Sequence, residues 1–168
     1  MNFKKWITPG NIIFLVVLGL FIRNQLPTIE NNFQKEGSGL SPTTVRVISD
    51  GNVATFPPAN GKAIAIFWST TCAPCKLEMA RLKKSVEEGK IPEERLFAIN
   101  SYESNSTIKK FLKKNPFPFT FIQDKAFATA LGVRGTPTTI FIDNGKIATM
   151  KTGMSIIGIW KAESFLSD

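Results

Sequence analysis

The sequence predicts an α/β fold: a central mixed β-sheet flanked by helices, with an extra N-terminal β-hairpin. Three observations predict it. Short apolar runs of strand length (AIAIFW, RLFAIN, FTFIQD, TTIFID) are separated by longer segments with helical periodicity. Two turn dipeptides, Asp50-Gly51 and Asn144-Gly145, sit between strand-like runs and mark hairpins. The resulting order β-α-β-α-β-β-α requires a sheet with both parallel and antiparallel neighbours, covered on two faces.

The elements follow in chain order. Residues 1–23 contain Lys4 and Lys5 and then the uncharged segment WITPGNIIFLVVLGLFI, Trp6 to Ile22. Seventeen residues at 1.5 Å each reach about 25 Å, the lower limit for crossing a bilayer. No polar face interrupts the run, so a buried soluble helix fits poorly. The residues after it are bulky and include a proline, unlike the small residues before a signal-peptidase cut. The segment is therefore expected to be an uncleaved signal anchor. The paired lysines outweigh Arg23, which keeps the N-terminus in the cytoplasm and the remainder outside. Residues 24–39, polar and ending Gly-Ser-Gly, read as a flexible linker, and residues 40–168 as one domain.

TTVRVISD and NVATF flank Asp50-Gly51 as the extra hairpin. AIAIFW, Ala63 to Trp68, suits a strand buried on both faces. A helix follows it, with Thr70 or Thr71 as its cap and an apolar stripe of Leu77, Ala80, Leu82 and Val86, stopping near Gly89. RLFAIN is the next strand. SNSTIKKFLKKN is the next helix, capped by Ser104 or Ser106, with Ile108, Phe111 and Leu112 on one face and its four lysines in solvent. FTFIQD is a strand and KAFATALGV a short helix ending near Gly132. TTIFID and KIATMKT form a hairpin about Asn144-Gly145, and SIIGIWKAESFL is a last helix opened by Ser155.

Composition excludes several chemistries. The 168 residues include no histidine, which removes Ser-His-Asp and Cys-His catalysis and histidine-ligated zinc. Two cysteines alone complete neither a four-ligand zinc site nor a disulfide framework. The net charge is +8, but the basic residues are scattered and form no nucleic-acid motif.

Those cysteines lie in FWSTTCAPCKLEM, as Cys72 and Cys75, between a strand and a helix. At a helix start, unpaired N–H groups and the positive end of the macrodipole favour a thiolate over a thiol. Cys72 is thus placed to attack a disulfide, and Cys75, one turn on, to resolve the mixed disulfide. Pro74 has no N–H to lose in the first turn. A passive staple fits less well, because closing so short a loop removes little chain entropy. Thr136-Pro137, just ahead of a strand, is a candidate cis-proline loop on which an extended substrate would pair as an added strand.

FWSTTCAPCKLEM, FAINSYES and GVRGTPTTIFIDNGKI together resemble the thioredoxin superfamily. They are most similar to its membrane-anchored extracytoplasmic branch, the TlpA/ResA-like thiol-disulfide oxidoreductases. The resemblance covers about residues 40–168. It implies a thioredoxin fold, Cys72 as nucleophile, Cys75 as resolving thiol, and Thr136 and Pro137 as the substrate-binding loop. Glu78 matches a glutamate that family members carry three residues past the second cysteine, where it would modulate the thiols and shuttle a proton. Implied partners are disulfide-bearing exported proteins, apocytochrome c among them, and a membrane thiol electron donor. No cofactor beyond the Cys72–Cys75 disulfide, no metal and no nucleic acid is implied.

Two positions depart from the family. Thr71 stands where a tryptophan is usual, and Ile66 where many thioredoxins bury an aspartate. With no histidine between the cysteines, a reducing couple is expected. Two other readings use the same residues. Two thiolates hold Cu(I) in copper chaperones of this fold, though those normally add a histidine. Ser69, three residues before Cys72, and Arg134 would suit a thiol peroxidase, though Ala65 replaces the proline of that pattern.

Overall fold

A computed structural model describes residues 8–167. The expectations that rest on Lys4, Lys5 and Trp6 lie outside them.

The main sheet has five strands in the order β5-β4-β3-β6-β7. The central strand β3 (Lys62–Phe67) runs parallel to β4 (Leu96–Asn100) and antiparallel to β6 (Thr138–Asp143). β5 (Thr120–Gln123) continues the parallel side, and β7 (Lys146–Thr152) the antiparallel side. β6 and β7 turn at Asn144 and Gly145, both at positive φ, as the dipeptide predicts. The hairpin of β1 (Thr43–Arg46) and β2 (Val53–Phe56) is a separate two-stranded sheet. It joins the β5 edge through an Ile48 N–H to Phe121 carbonyl bond of 2.8 Å.

Alternation along β3 builds the two cores. Ala63, Ala65 and Phe67 face a cluster with Phe56, Leu131 and Ile147. Ile64, Ile66 and Trp68 face the other, with Met79, Leu82 and Ile108. Helices α2 (Ala73–Glu87), α3 (Asn105–Lys114) and α5 (Gly158–Ser167) supply the second cluster. The short α4 (Lys125–Ala130) supplies part of the first, including Ala128. Ser104 caps α3, as one of the two serines expected.

Four local expectations change. The cap of α2 is Cys72 itself, not a threonine. The buried stripe of α2 is Cys75, Glu78, Met79, Leu82 and Ser85, while Leu77 is 52% exposed. The true stripe carries a glutamate and a serine, which hides it from an apolar-only count. The last helix begins at Gly158, three residues after Ser155.

The fourth concerns residues 24–39. Helix α1 runs unbroken from Pro9 to Lys35, through Pro27, so residues 24–35 are helical rather than a flexible tether. Its polar side chains hold it to the domain. Asn31 donates to the Leu131 and Gly132 carbonyls, and Lys35 to the Ala130 carbonyl, at 2.9–3.3 Å. Glu36 accepts from the Met150 N–H at 3.2 Å. The Gly37 N–H donates to the Ile147 carbonyl, and the Ile147 N–H to the Ser38 carbonyl. These contacts satisfy the outer edge of β7, which would otherwise present open backbone groups. Earlier in α1 the helix is apolar enough to span a bilayer, with a mean hydropathy of 1.8 over its best 18-residue window and no buried side chain.

Candidate redox site

Strand register places the site. Phe67, the last residue of β3, pairs with Thr138, the first of β6. The chain leaving β3 carries the cysteines, and the chain entering β6 carries Pro137, so both loops crown one end of the sheet. This is the carboxyl end of the parallel strands, where α/β sheets present their sites.

Cys72 and Cys75 form a disulfide, with S–S 2.01 Å and Cα–Cα 5.3 Å. Cys72 is partly exposed and Cys75 fully buried against Ile66, Met79 and their neighbours. The Cys72 Sγ accepts the Cys75 N–H at 3.2 Å, so the sulfur itself occupies the capping position at the positive end of α2. Pro74 stands in the first turn, where its missing N–H costs nothing.

The Thr136–Pro137 bond is cis. Pro137 is buried, and its carbonyl accepts the Gly153 N–H at 2.8 Å. Thr138 Oγ1 donates to the Gly135 carbonyl at 2.7 Å, closing the turn. Thr136 is half-buried.

Glu78 lies one turn beyond Cys75 on the same buried face and is 5% exposed. Thr139 Oγ1 donates to its Oε1 at 3.1 Å, while its Oε2 is buried without a hydrogen-bond partner. Burial pushes this carboxyl above the usual range, and the Thr139 hydroxyl and Arg81 charge pull it partly back. It lines a groove with Ser155, Ile157 and Gly158. Ile66 is packed in the same cluster as Cys75. Glu78 is thus the one buried carboxylate among the described residues.

Sequence reasoning missed Glu103. Its carboxylate accepts the Thr70 N–H at 2.7 Å, the Thr70 hydroxyl, and Asn100 Nδ2 at 2.6 Å. Burial acts to raise this carboxyl, but the donors from Thr70 and Asn100 outweigh it and hold it below the ordinary range. The arrangement pins the loop before Cys72 to the end of β4. The signals were its place in the FAINSYES motif and its position just after a strand that ends beside the cysteine loop. Of the residues in the peroxidase reading, Ser69 Oγ lies 3.5 Å from Thr71 Oγ1, Arg134 is exposed, and Ala65 is buried inside β3. No cluster of three or more potential metal ligands occurs among the described residues.

Known proteins share this fold. StoA from Bacillus subtilis superposes with a TM-score of 0.64 at 19% identity, over 74% of this chain and 96% of that one. That likeness establishes the thioredoxin-like fold. The thiol-disulfide oxidoreductase ResA of Halalkalibacterium halodurans is 34% identical over 62% of this chain, and the match spans 61% of that relative's length. The thiol:disulfide interchange protein DsbE of Pseudomonas fluorescens biotype C is 26% identical over 95% of this chain and 92% of its own. A model of the AhpC/TSA family matches residues 42–150, which run from the extra hairpin through both redox loops into β7. The chain therefore has a thioredoxin-like fold and belongs to the AhpC/TSA family.

Proposed function

We propose that the chain is a membrane-tethered, extracytoplasmic thiol-disulfide oxidoreductase that reduces disulfides of exported proteins through Cys72 and Cys75. The observation that carries this is the pair itself: a bonded Cys-x-x-Cys capping a helix, one sulfur reachable and one buried, at the end of the sheet that also bears Pro137. The names of the relatives ResA and DsbE support the same chemistry.

Two exchanges complete the reaction. In the reduced chain the Cys72 thiolate attacks one sulfur of a substrate disulfide. That S–S bond breaks, a mixed disulfide forms, and the released substrate sulfur takes up a proton. Cys75 then loses its proton and attacks the Cys72 sulfur. The intramolecular disulfide closes and the second substrate sulfur leaves, so two electrons pass from the dithiol to the substrate. Glu78, buried one turn from Cys75 and held high by its surroundings, suits the role of proton acceptor when Cys75 attacks. Thr136 and Pro137 would hold the substrate as an added strand beside Cys72. No cofactor beyond the sulfur pair enters any step.

Helix α1 serves as the membrane anchor, with Lys4 and Lys5 keeping its start in the cytoplasm. A membrane thiol donor would recharge the pair by the reverse exchange. Apocytochrome c is one substrate that the family relationship suggests.

Trapping tests the assignment. A Cys75→Ala variant leaves the mixed disulfide unresolved, and mass spectrometry of the adduct identifies the captured protein. Capture through Cys72 is expected, at least ten times the yield of Cys72→Ala. Equal capture by the two variants would contradict the division of labour between nucleophile and resolving thiol.

A further inference from the structure

The path of α1 across the domain sets which end of the sheet the helix approaches. Asn32 sits beside Thr152, with its side-chain amide 3.2 Å from Thr152 Oγ1. Four residues later Glu36 reaches Met150, Gly37 reaches Ile147, and Leu40 reaches Gly145. The segment therefore runs antiparallel to β7, entering at Thr152 and leaving at the Asn144-Gly145 turn. Thr152 pairs with Thr138, the neighbour of Pro137, and their hydroxyls are 2.9 Å apart. The helix thus arrives over the same end of the sheet that bears Cys72 and Pro137. From Asn32 back to Ile22, the last residue of the apolar run, are ten helical residues, or about 15 Å. The polar headgroup layer, roughly 5–8 Å deep, occupies part of that gap.

We propose that the redox end of the domain is a bilayer-facing surface, held there because α1 is spliced onto the β7 edge through residues 31–40 rather than joined by a tether. The surface has the character such a position needs. The segment leaving Gly153, which is bonded to Pro137, exposes Met154, Ile156 (80%), Ile157 and, in the first turn of α5, Trp160 (71%). A contiguous exposed apolar segment containing a tryptophan suits the membrane interface better than open water. The opposite end, at the Asn144-Gly145 turn, lies a further seven strand residues away, roughly 20 Å. The pair would then work on disulfides presented close to the membrane surface. This inference rests on α1 as the anchor and not on the redox chemistry.

The test uses the full chain in phosphatidylcholine–phosphatidylglycerol vesicles doped with a lipid that carries a nitroxide on its headgroup. A bimane label is placed on Cys72 in the Cys75→Ala variant. In a second protein the label is on Lys146→Cys, with both native cysteines changed to alanine. Quenching at residue 72 is expected to exceed that at residue 146 several-fold. A six-residue Gly-Ser insertion after Leu26, which uncouples the anchor from the docked half of α1, is expected to bring the two within about twofold. Equal quenching in the uninterrupted chains, or more at residue 146, overturns the orientation and leaves the apolar segment for a protein partner. Asymmetry that survives the insertion overturns the splice as its cause. Release of the chain by alkaline washing would fail the anchor reading, and this inference with it, while leaving the chemistry at Cys72 untouched.

Discussion

At the scale of single residues, the site is two sulfurs in unequal surroundings, with two nearby carboxylates tuned in opposite directions. Glu78 offers the sharper test. Because burial raises its carboxyl, the folded chain binds that proton more tightly than the unfolded chain does. Stability therefore falls as pH climbs from the ordinary carboxylate range to the raised value, and levels off above it. Glu78→Gln removes this slope, so the advantage of the variant in Tm should widen with pH through that window and then stay constant. A gap that narrows with rising pH contradicts the burial argument. The same variant should slow closure of the Cys72–Cys75 disulfide by roughly tenfold or more, as loss of a positioned base does, in stopped-flow kinetics. Glu103 works in the other sense. Its carboxyl is held low, so its stabilisation is complete above the ordinary range and is lost as pH falls through the lowered value. Glu103→Ala strands the Thr70 and Asn100 donors and should cost about 2 kcal/mol in urea unfolding.

At the scale of elements, the strands and turns were legible because their signals are local. Asn144-Gly145 needs nothing beyond its own backbone preferences, and AIAIFW is apolar on both faces because both faces are covered. The cysteine pair at the start of α2 was legible for the same reason. The buried face of α2 was not, since Glu78 and Ser85 are polar and become interior only through distant partners, Thr139 and Glu163. The cap was misread because a sulfur took a place that oxygen usually fills. These differences carry a prediction. Leu82→Ala, at a buried position of the stripe, should cost about 2–5 kcal/mol in urea unfolding. Leu77→Ala, at an exposed position, should stay within about 0.5 kcal/mol. Equal costs would return Leu77 to the stripe. The helical course of residues 24–35 was hidden likewise, because its contacts lie about a hundred residues away, at Ala130 to Gly132.

At the scale of the whole molecule, the residues before β3 contact both edges of the main sheet. The β1–β2 hairpin joins β5, and residues 31–40 line β7. A five-stranded sheet with contacts along both edges offers less open backbone for uncontrolled pairing, and the proposed strand addition at the Thr136 loop does not depend on either edge. On the proposed function, exchange takes place at the sheet end that carries Cys72. The direct measurement is turnover: full-length chain in detergent, with dithiothreitol as electron source and insulin disulfides as acceptor. The wild type is predicted to accelerate insulin reduction at least tenfold over dithiothreitol alone, with free thiols at Cys72 and Cys75 appearing together as the solution is made more reducing. Cys72→Ala is predicted to return the rate to background. A bond that stays closed in strong reductant, or a reduced chain no faster than dithiothreitol alone, would make the pair a structural staple and contradict the redox assignment.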